Sequence, residues 1–280
     1  MTAKQMKDLL RNMSKKTGVN VQILQNNFML ERLLERIALS EFKDNFILKG
    51  GMLIAAMVGI DARSTMDLDA SIRNTILSEE NIRAIFNVIT KMDIGDGVIM
   101  RIKDIHEIRQ EFEYSCFRLS MEAKVDNTVI PLKVDISTGD IITPAEIIYK
   151  FNLLLQDRTI EIWAYNLETV LAEKMETIIS RDVFNTRMRD FYDIYILATT
   201  RNADIDKKVL IQAIKKTCAN RETEIDYGNI DADLATIFHN EGLQKLWKEY
   251  QKKFPYSQDI SWEEVEVQVI KLFLEVKEQL

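Results

Sequence analysis

The chain has 280 residues, a formal net charge of -7, two cysteines and two histidines. Cys116 and Cys218 form no C-x-x-C pair and read as buried thiols of a reducing compartment, in a chain long enough to build its core without disulfides. His106 and His239 are too few for a histidine-rich metal site or a Ser-His-Asp triad, and the acidic balance excludes a chain that is basic throughout, though not a local basic patch. No secretory segment opens the sequence and no apolar run reaches the length of a membrane span, so a cytoplasmic protein is expected.

Read in chain order, residues 20–41 carry apolar positions at helical spacing (Val21, Leu24, Phe28, Leu33, Leu34) and predict a helix. Phe46-Ile47-Leu48 reads as a short buried strand running into a Lys49-Gly50-Gly51 turn. A small helix is expected to leave that turn over Met52–Val58. Leu68–Ile72 reads as a second strand and 79–91 as another helix. The stretch 97–137 is strand-rich, with a turn at Asp126-Asn127, and Arg158–Tyr165 reads as one more strand. From Leu167 the pattern turns helical, over about 167–180, 188–199, 205–219, 240–253 and 262–278. Three prolines and nine glycines leave no linker, low-complexity tract or repeat. The order predicts an α+β fold, with a mixed-sheet part followed by a helical part and a boundary near residue 166.

The chemistry-bearing residues gather first around the glycine turn. Asp67-Leu68-Asp69 follows it, and two acids two residues apart on a strand share one face. In Ile130–Ile136, alternation puts Ile130, Leu132, Val134 and Ile136 on a core face and Lys133 and Asp135 on the other. If these strands are neighbours, three carboxylates converge, and they repel one another unless a cation neutralises them. Oxygen ligands of this kind suit Mg²⁺ with substrate phosphates in its shell, while a glycine turn lets backbone N–H groups approach those phosphates. A lone D-x-D is also common on solvated strand ends, and a lone Gly-Gly is commonly just a turn. The turn lacks the spacing of a P-loop. An aspartyl-nucleophile phosphatase loop is disfavoured because Asp61–Thr65, rather than a buried apolar strand, precedes the acids.

A second cluster lies on the predicted helices. Leu167, Val170, Leu171, Met175 and Ile178 form an apolar stripe into which Lys174 falls, with Arg181 near its edge. A lysine there needs a snorkelling route or an anionic partner such as a phosphate. Asp190 and Asp193 then lie on one side of a segment rich in arginine and aromatic residues, suited to a structural ion pair or to a role at the active site.

Taken together, Phe46-Ile47-Leu48-Lys49-Gly50-Gly51, Arg63-Ser64-Thr65-Met66-Asp67-Leu68-Asp69, Leu132–Ser137, Leu171-Ala172-Glu173-Lys174-Met175 and Arg189-Asp190-Phe191-Tyr192-Asp193 resemble, in order, the motifs of the AbiEii/AbiGii toxin family of nucleotidyltransferases. The resemblance covers about residues 46–197. It implies a DNA-polymerase-β-like nucleotidyltransferase core and a helical C-terminal domain. It also implies a toxin of a bacterial toxin–antitoxin or abortive-infection system, paired with a separate antitoxin. It implies that Asp67 and Asp69, joined by Asp135, hold Mg²⁺, that Arg63, Thr65, Gly50 and Gly51 lie at the phosphates of a nucleoside triphosphate, and that Lys174 with Asp190 or Asp193, the motif leaving open which, completes the site. The Gly-Ser usual in the wider superfamily is Gly50-Gly51 here, which removes a hydroxyl contact.

The mechanism expected from this set is nucleotidyl transfer. Gly50, Gly51 and Lys49 or Lys174 would hold the triphosphate, and Asp135 would activate an acceptor hydroxyl on an RNA, such as a tRNA, or on a protein. The rival is a non-catalytic nucleotide-binding interaction protein on the same fold. Lys207, Lys208, Lys215, Lys216 and Arg221, and again Lys245, Lys248, Lys252 and Lys253, read either as a solvated amphipathic face or as a phosphate-binding face for a tRNA-sized acceptor.

Overall fold

The structure is a computed structural model that describes residues 2–108 and 116–279. The chain forms two compact units, Met1–Asp140 with Glu146–Tyr165, and Ile141–Ala145 with Asn166–Leu280.

The first unit is built on a seven-stranded mixed sheet in the order β3-β4-β5-β2-β1-β7-β6. Its strands are β1 (Phe46–Lys49), β2 (Asp67–Ile72), β3 (Ile99–Ile108), β4 (Cys116–Val125), β5 (Thr128–Ser137), β6 (Ile147–Asn152) and β7 (Thr159–Ala164). β1 runs antiparallel to β2 and parallel to β7, β2 runs parallel to β5, and β3–β4–β5 and β6–β7 are antiparallel. Among the described residues four helices belong to this unit: α1 (Ala3–Thr17), α2 (Val21–Leu39), α3 (Gly50–Val58) and α4 (Glu79–Lys91). The α+β mixed sheet expected from the sequence is the fold observed.

Alternation explains the central strands. Ile130, Leu132, Val134 and Ile136 of β5 and Leu68 and Ala70 of β2 are all buried, each large apolar side chain contributing on the order of 1.5–3 kcal/mol. Their intervening neighbours are thereby turned to the opposite face of the sheet. The β4–β5 hairpin closes at Asp126-Asn127, with Asp126 at a φ of 48°, a left-handed conformation that Asp tolerates better than most residues. Helix α4 covers the predicted residues 79–91; Ser78 caps it and Ile82, Ile85, Phe86 and Ile89 make its buried face.

Helix α2 departs from a simple amphipathic pattern, since Glu31, Arg32, Glu35 and Arg36 are all buried with its apolar residues. They are paired within the unit: Arg32 with Glu35, Arg158 with Glu35, and Arg36 with Asp96. Both carboxylate oxygens of Glu31 accept from the Leu154 backbone N–H. Burial pushes the Glu31 carboxyl up to about 8, against the lowering effect of that backbone hydrogen bond and of Arg32.

The second unit is helical, with α5 (Leu167–Arg181), α6 (Met188–Thr200), α7 (Lys207–Asn220), α8 (Ile230–Phe238), α9 (Glu241–Lys253) and α10 (Trp262–Lys277). Asn166 caps α5 and Asp206 caps α7 through their side chains, and Ser261 forms a capping box with Glu264 at α10, each cap contributing about 1 kcal/mol. Phe191, Phe238, Trp247 and Trp262 pack ring against ring at the centre of the bundle.

Three elements were not anticipated. Helix α1 carries a Thr2–Gln5 capping box, a buried face of Ala3, Met6 and Leu10, and a left-handed cap at Gly18. Strand β6 is an edge strand with a mostly exposed pattern, which leaves little apolar alternation to read. Helix α8 spans nine residues and has no side-chain cap.

Candidate active site

The sheet places the predicted acids in adjacent register. Asp69 of β2 lies opposite Asp135 of β5 and opposite Lys49 of β1, and Asp135 lies opposite Arg118 of β4. One row across four strands therefore reads Lys49, Asp69, Asp135, Arg118, with the two negative charges inside and the two positive ones outside. Asp67 stands two residues from Asp69 on the same strand face, in register with Lys133.

The glycine turn meets this row directly. Lys49 ends β1 and Gly50 begins α3 without a side-chain cap. The free backbone N–H groups of a helix start attract negative charge, and here the Gly51 N–H donates to Asp69 Oδ2 at 3.3 Å. Gly50 has a φ of 64°, and a Cβ there would overlap the Asp69 carboxylate oxygen and lie 2.8 Å from the Asp69 Cβ and Cγ. At Gly51 a Cβ would lie 2.8 Å from Thr65 Oγ1. Both positions require glycine because the acid strand and the segment before it pack against the turn backbone.

That segment is itself anchored. Arg63, Ser64 and Thr65 are buried. The Arg63 guanidinium donates to the Ser64 carbonyl and lies 3.3 Å from where a Gly51 Cβ would be. The Thr65 hydroxyl donates to the Asp67 carbonyl and accepts from the Asp67 N–H. The Asn27 amide of α2 donates to the Thr65 carbonyl at 2.7 Å, and Asn26 beside it donates to the Pro131 carbonyl of β5 at 3.0 Å. Asn27, Asn26, Arg118 and Asp140 were not singled out from the sequence. None lies within a local motif, and only the register and the packing of α2 bring them to the acids.

Electrostatics follow the row. Burial raises the Asp69 pKa, and the charges of Asp135 and Asp67 raise it further, against the opposing effects of Lys49 and the Gly51 N–H. Lys49 gives its ammonium to Asp140 at 2.9 Å, and Asp140 also accepts from the Ser137 hydroxyl at 2.8 Å. Burial opposes ionisation of Asp140, but the Lys49 charge and hydrogen bonds from Lys49, Ser71 and Ser137 outweigh it and hold its pKa low. Asp135 accepts from Arg118 through both oxygens, at 2.8 and 2.7 Å. That hydrogen bonding, ahead of the cost of burial, holds the Arg118 guanidinium charged. Cys116 lies on the same strand face, with its thiol pushed up to about 11 by burial and by Asp135.

The chemistry of the donor set fits a hard divalent cation. Asp67 and Asp69 offer only oxygen, and burial first, then the charges of Asp135 and Asp67, make an ionised Asp69 costly, a cost that a bound cation would relieve. Asp135 is committed to Arg118. Among the described residues no three Asp, Glu, His or Cys side chains are gathered as a ready metal cage. A cavity of about 100 Å³ lies on the other face of β1 and β2, where Leu34, Phe46, Leu48, Leu68 and Ala70 line it. Lys43, Asp44 and Glu161 also line it, two acids against one lysine, on the face away from Asp67 and Asp69.

In the helical unit Lys174 is not a snorkelling lysine. Its ammonium pairs with the Asp190 carboxylate and lies 3.4 Å from Asp193, and both acids are fully buried. Arg187 pairs with the second Asp190 oxygen at 2.8 Å. The anion that the apolar stripe demanded is thus carboxylate from the next helix, and Asp190 and Asp193 share it. Of the basic clusters, Arg221 pairs with Glu173 and Glu176 and Lys207 with Glu275, while Lys208, Lys215 and Lys216 and the α9 lysines are exposed.

Comparison with known proteins agrees with this fold. A putative nucleotidyltransferase from H. pylori superposes with a TM-score of 0.54 at 16% identity, covering 94% of this chain and 97% of that one. JHP933 from Helicobacter pylori gives 0.53 at 16% identity, covering 94% of each chain. MenT4, a nucleotidyltransferase toxin from Mycobacterium tuberculosis, gives 0.55 at 12% identity, covering 95% and 98%. No curated protein sequence matches. The model of the family described as nucleotidyl transferase AbiEii toxin, type IV toxin–antitoxin system, matches residues 32–267. The chain belongs to the AbiEii family of nucleotidyltransferase toxins.

Proposed function

We propose that this toxin transfers a nucleoside monophosphate from a nucleoside triphosphate to a hydroxyl of an RNA, a tRNA being the first candidate, or of a protein, with Mg²⁺ bound by Asp67 and Asp69. The observation that carries the reading is the packing of the Gly50-Gly51 helix start against the Asp69 carboxylate. It puts the N–H groups of a helix start, a kind of group able to bind phosphate, beside the acids. Mg²⁺ bound there would neutralise triphosphate charge and favour ionisation of the attacking hydroxyl.

The chain's own residues do the rest. The Gly50 and Gly51 amides orient the phosphates, and Arg63, Thr65 and Asn27 fix the segment that sets Asp67. The acceptor oxygen bonds to the α-phosphorus as the bond from that phosphorus to the β-bridging oxygen breaks. Pyrophosphate leaves with the bonding electron pair, and Asp135 is assigned the hydroxyl proton. Catalysis is then chiefly positioning and charge stabilisation.

Residues 1–166 are assigned to the catalytic core and 167–280 to a helical domain. Lys174 with Asp190 and Asp193 belongs to the same reaction by its order in the family motifs. The exposed lysines of α7 and α9 are candidates for acceptor phosphates. A cytoplasmic location and a separate antitoxin complete the reading; among the described residues no helix is long and apolar enough to cross a membrane.

The test is incubation with each labelled NTP and total RNA, with and without Mg²⁺. The intact protein should label a discrete RNA or protein species only with Mg²⁺, and Asp67→Asn should lower labelling by on the order of a thousandfold while leaving the protein folded. Full labelling and full toxicity of Asp67→Asn would remove the assignment. Mg²⁺-dependent nucleotide binding with no transfer to any acceptor would leave a binding protein on this fold.

A further inference from the structure

The charge row across the sheet ends in two different ways. At one end Lys49, opposite Asp69 in register, pairs with Asp140. At the other, Arg118 closes on Asp135 with a two-pronged pair that uses both carboxylate oxygens. We propose that Arg118 is the internal counter-ion of Asp135, a positioning residue that withholds this carboxylate from a divalent cation until a substrate phosphate draws the guanidinium away.

Geometry and exposure support an exchange. The Asp135 side chain is 11% exposed and the Arg118 side chain 34%. Asp135 is fixed on a central strand between β2 and β4, whereas the guanidinium has an open side toward solvent. A guanidinium binds phosphate with the same two-pronged geometry it uses for carboxylate, so an incoming triphosphate can take over the contact without leaving Arg118 unpaired. Asp135 is then left beside Asp69 in register, and two adjacent carboxylates without Arg118 between them and solvent attract a divalent cation more strongly. The consequence is order. Asp67 and Asp69 hold the cation weakly in the resting protein, and nucleotide binding completes the set with Asp135. The pairing also holds Asp135 oriented while no substrate is present.

The inference rests on the proposed function, since it takes the acids to be the cation site, but its test separates the two. Mn²⁺ binding in the absence of nucleotide, followed by the loss of the free-ion paramagnetic resonance signal, is measured for the intact chain and for Arg118→Ala, Arg118→Lys, Arg118→Ala/Asp135→Asn and Asp69→Asn, with circular dichroism as the check on folding. Arg118→Ala is expected to bind Mn²⁺ about tenfold more tightly than the native protein, because a positive charge beside the carboxylates no longer repels the ion. Arg118→Lys, which keeps the charge and loses the fork, should fall between them, and Asp135→Asn should cancel the gain. Damage to the fold would weaken binding, so a gain cannot come from it. Binding by Arg118→Ala equal to or weaker than native, with Asp69→Asn still abolishing it, overturns the role of Arg118 and leaves the cation site standing. Binding in none of the variants, or binding indifferent to Asp69→Asn, overturns the cation site itself and this inference with it.

Discussion

Gly50 sits at a φ of 64° where a Cβ would overlap the Asp69 carboxylate, so that the helix start packs on the acid strand with no room for a side chain. Replacing Gly50 by Ala brings two costs: a left-handed conformation for a residue with a Cβ, and overlap with the carboxylate. Gly50→Ala is expected to lose about 1–3 kcal/mol of stability in chemical denaturation, and its transfer activity should fall further than stability alone explains, because Asp69 must move. Native-like activity in a folded Gly50→Ala protein would show that the turn does not set the acid.

Lys174 is the shared cation of two fully buried acids. Removing it takes a cation from two buried acids, of which Asp190 keeps Arg187, so the cost should lie toward or below the lower end of the roughly 3–5 kcal/mol of a broken buried pair. Lys174→Met should therefore lower the denaturation midpoint strongly as well as abolish transfer. Lys174→Met/Asp190→Asn/Asp193→Asn, which removes the charges together, should recover much of the stability and none of the activity. Recovery of activity with stability would make the cluster purely structural.

The buried Glu31 carboxyl, pushed up to about 8 against an ordinary value of 4.5, supplies a pH dependence. Between those values the folded chain keeps a proton on Glu31 that the unfolded chain releases. The folded state therefore binds more protons, and stability falls as pH rises. The contribution is complete below pH 4.5 and is lost as pH passes about 8. Glu31→Gln keeps an oxygen acceptor for the Leu154 N–H without an ionisable group. In thermal unfolding from pH 5 to 9, the difference between variant and native midpoints should move in favour of Glu31→Gln as pH increases. A difference that does not change with pH would mean that Glu31 ionises in the fold much as it does in the unfolded chain.

Local pattern was enough for the elements whose burial follows a simple period. The alternation of Ile130–Ile136 put Asp135 on the polar face and β5 confirms that face, while the periodicity of residues 79–91 gives α4 with its buried stripe. The strand at Phe46–Lys49, the turn after it and the D-x-D strand were also legible, because each is a short run of distinctive residue types. Helix α2 was legible as a helix, but its buried Glu31, Arg32, Glu35 and Arg36 were not foreseeable from amphipathic reasoning, since their partners Asp96 and Arg158 lie far along the chain.

By itself the sequence determined which residues could carry the chemistry: two acids on one strand face, a third on another, a glycine turn before them and a lysine on an apolar helical stripe. Tertiary structure alone decided what each of them touches. Arg118 and Asp135 are 17 residues apart and Lys49 and Asp140 are 91 apart, and their pairing depends on strand order and register, which no local period encodes. The same holds for Lys174, whose need for an anion was readable from burial, while the identity of that anion was fixed only when α6 packed beside α5 and brought Asp190 and Asp193 to it.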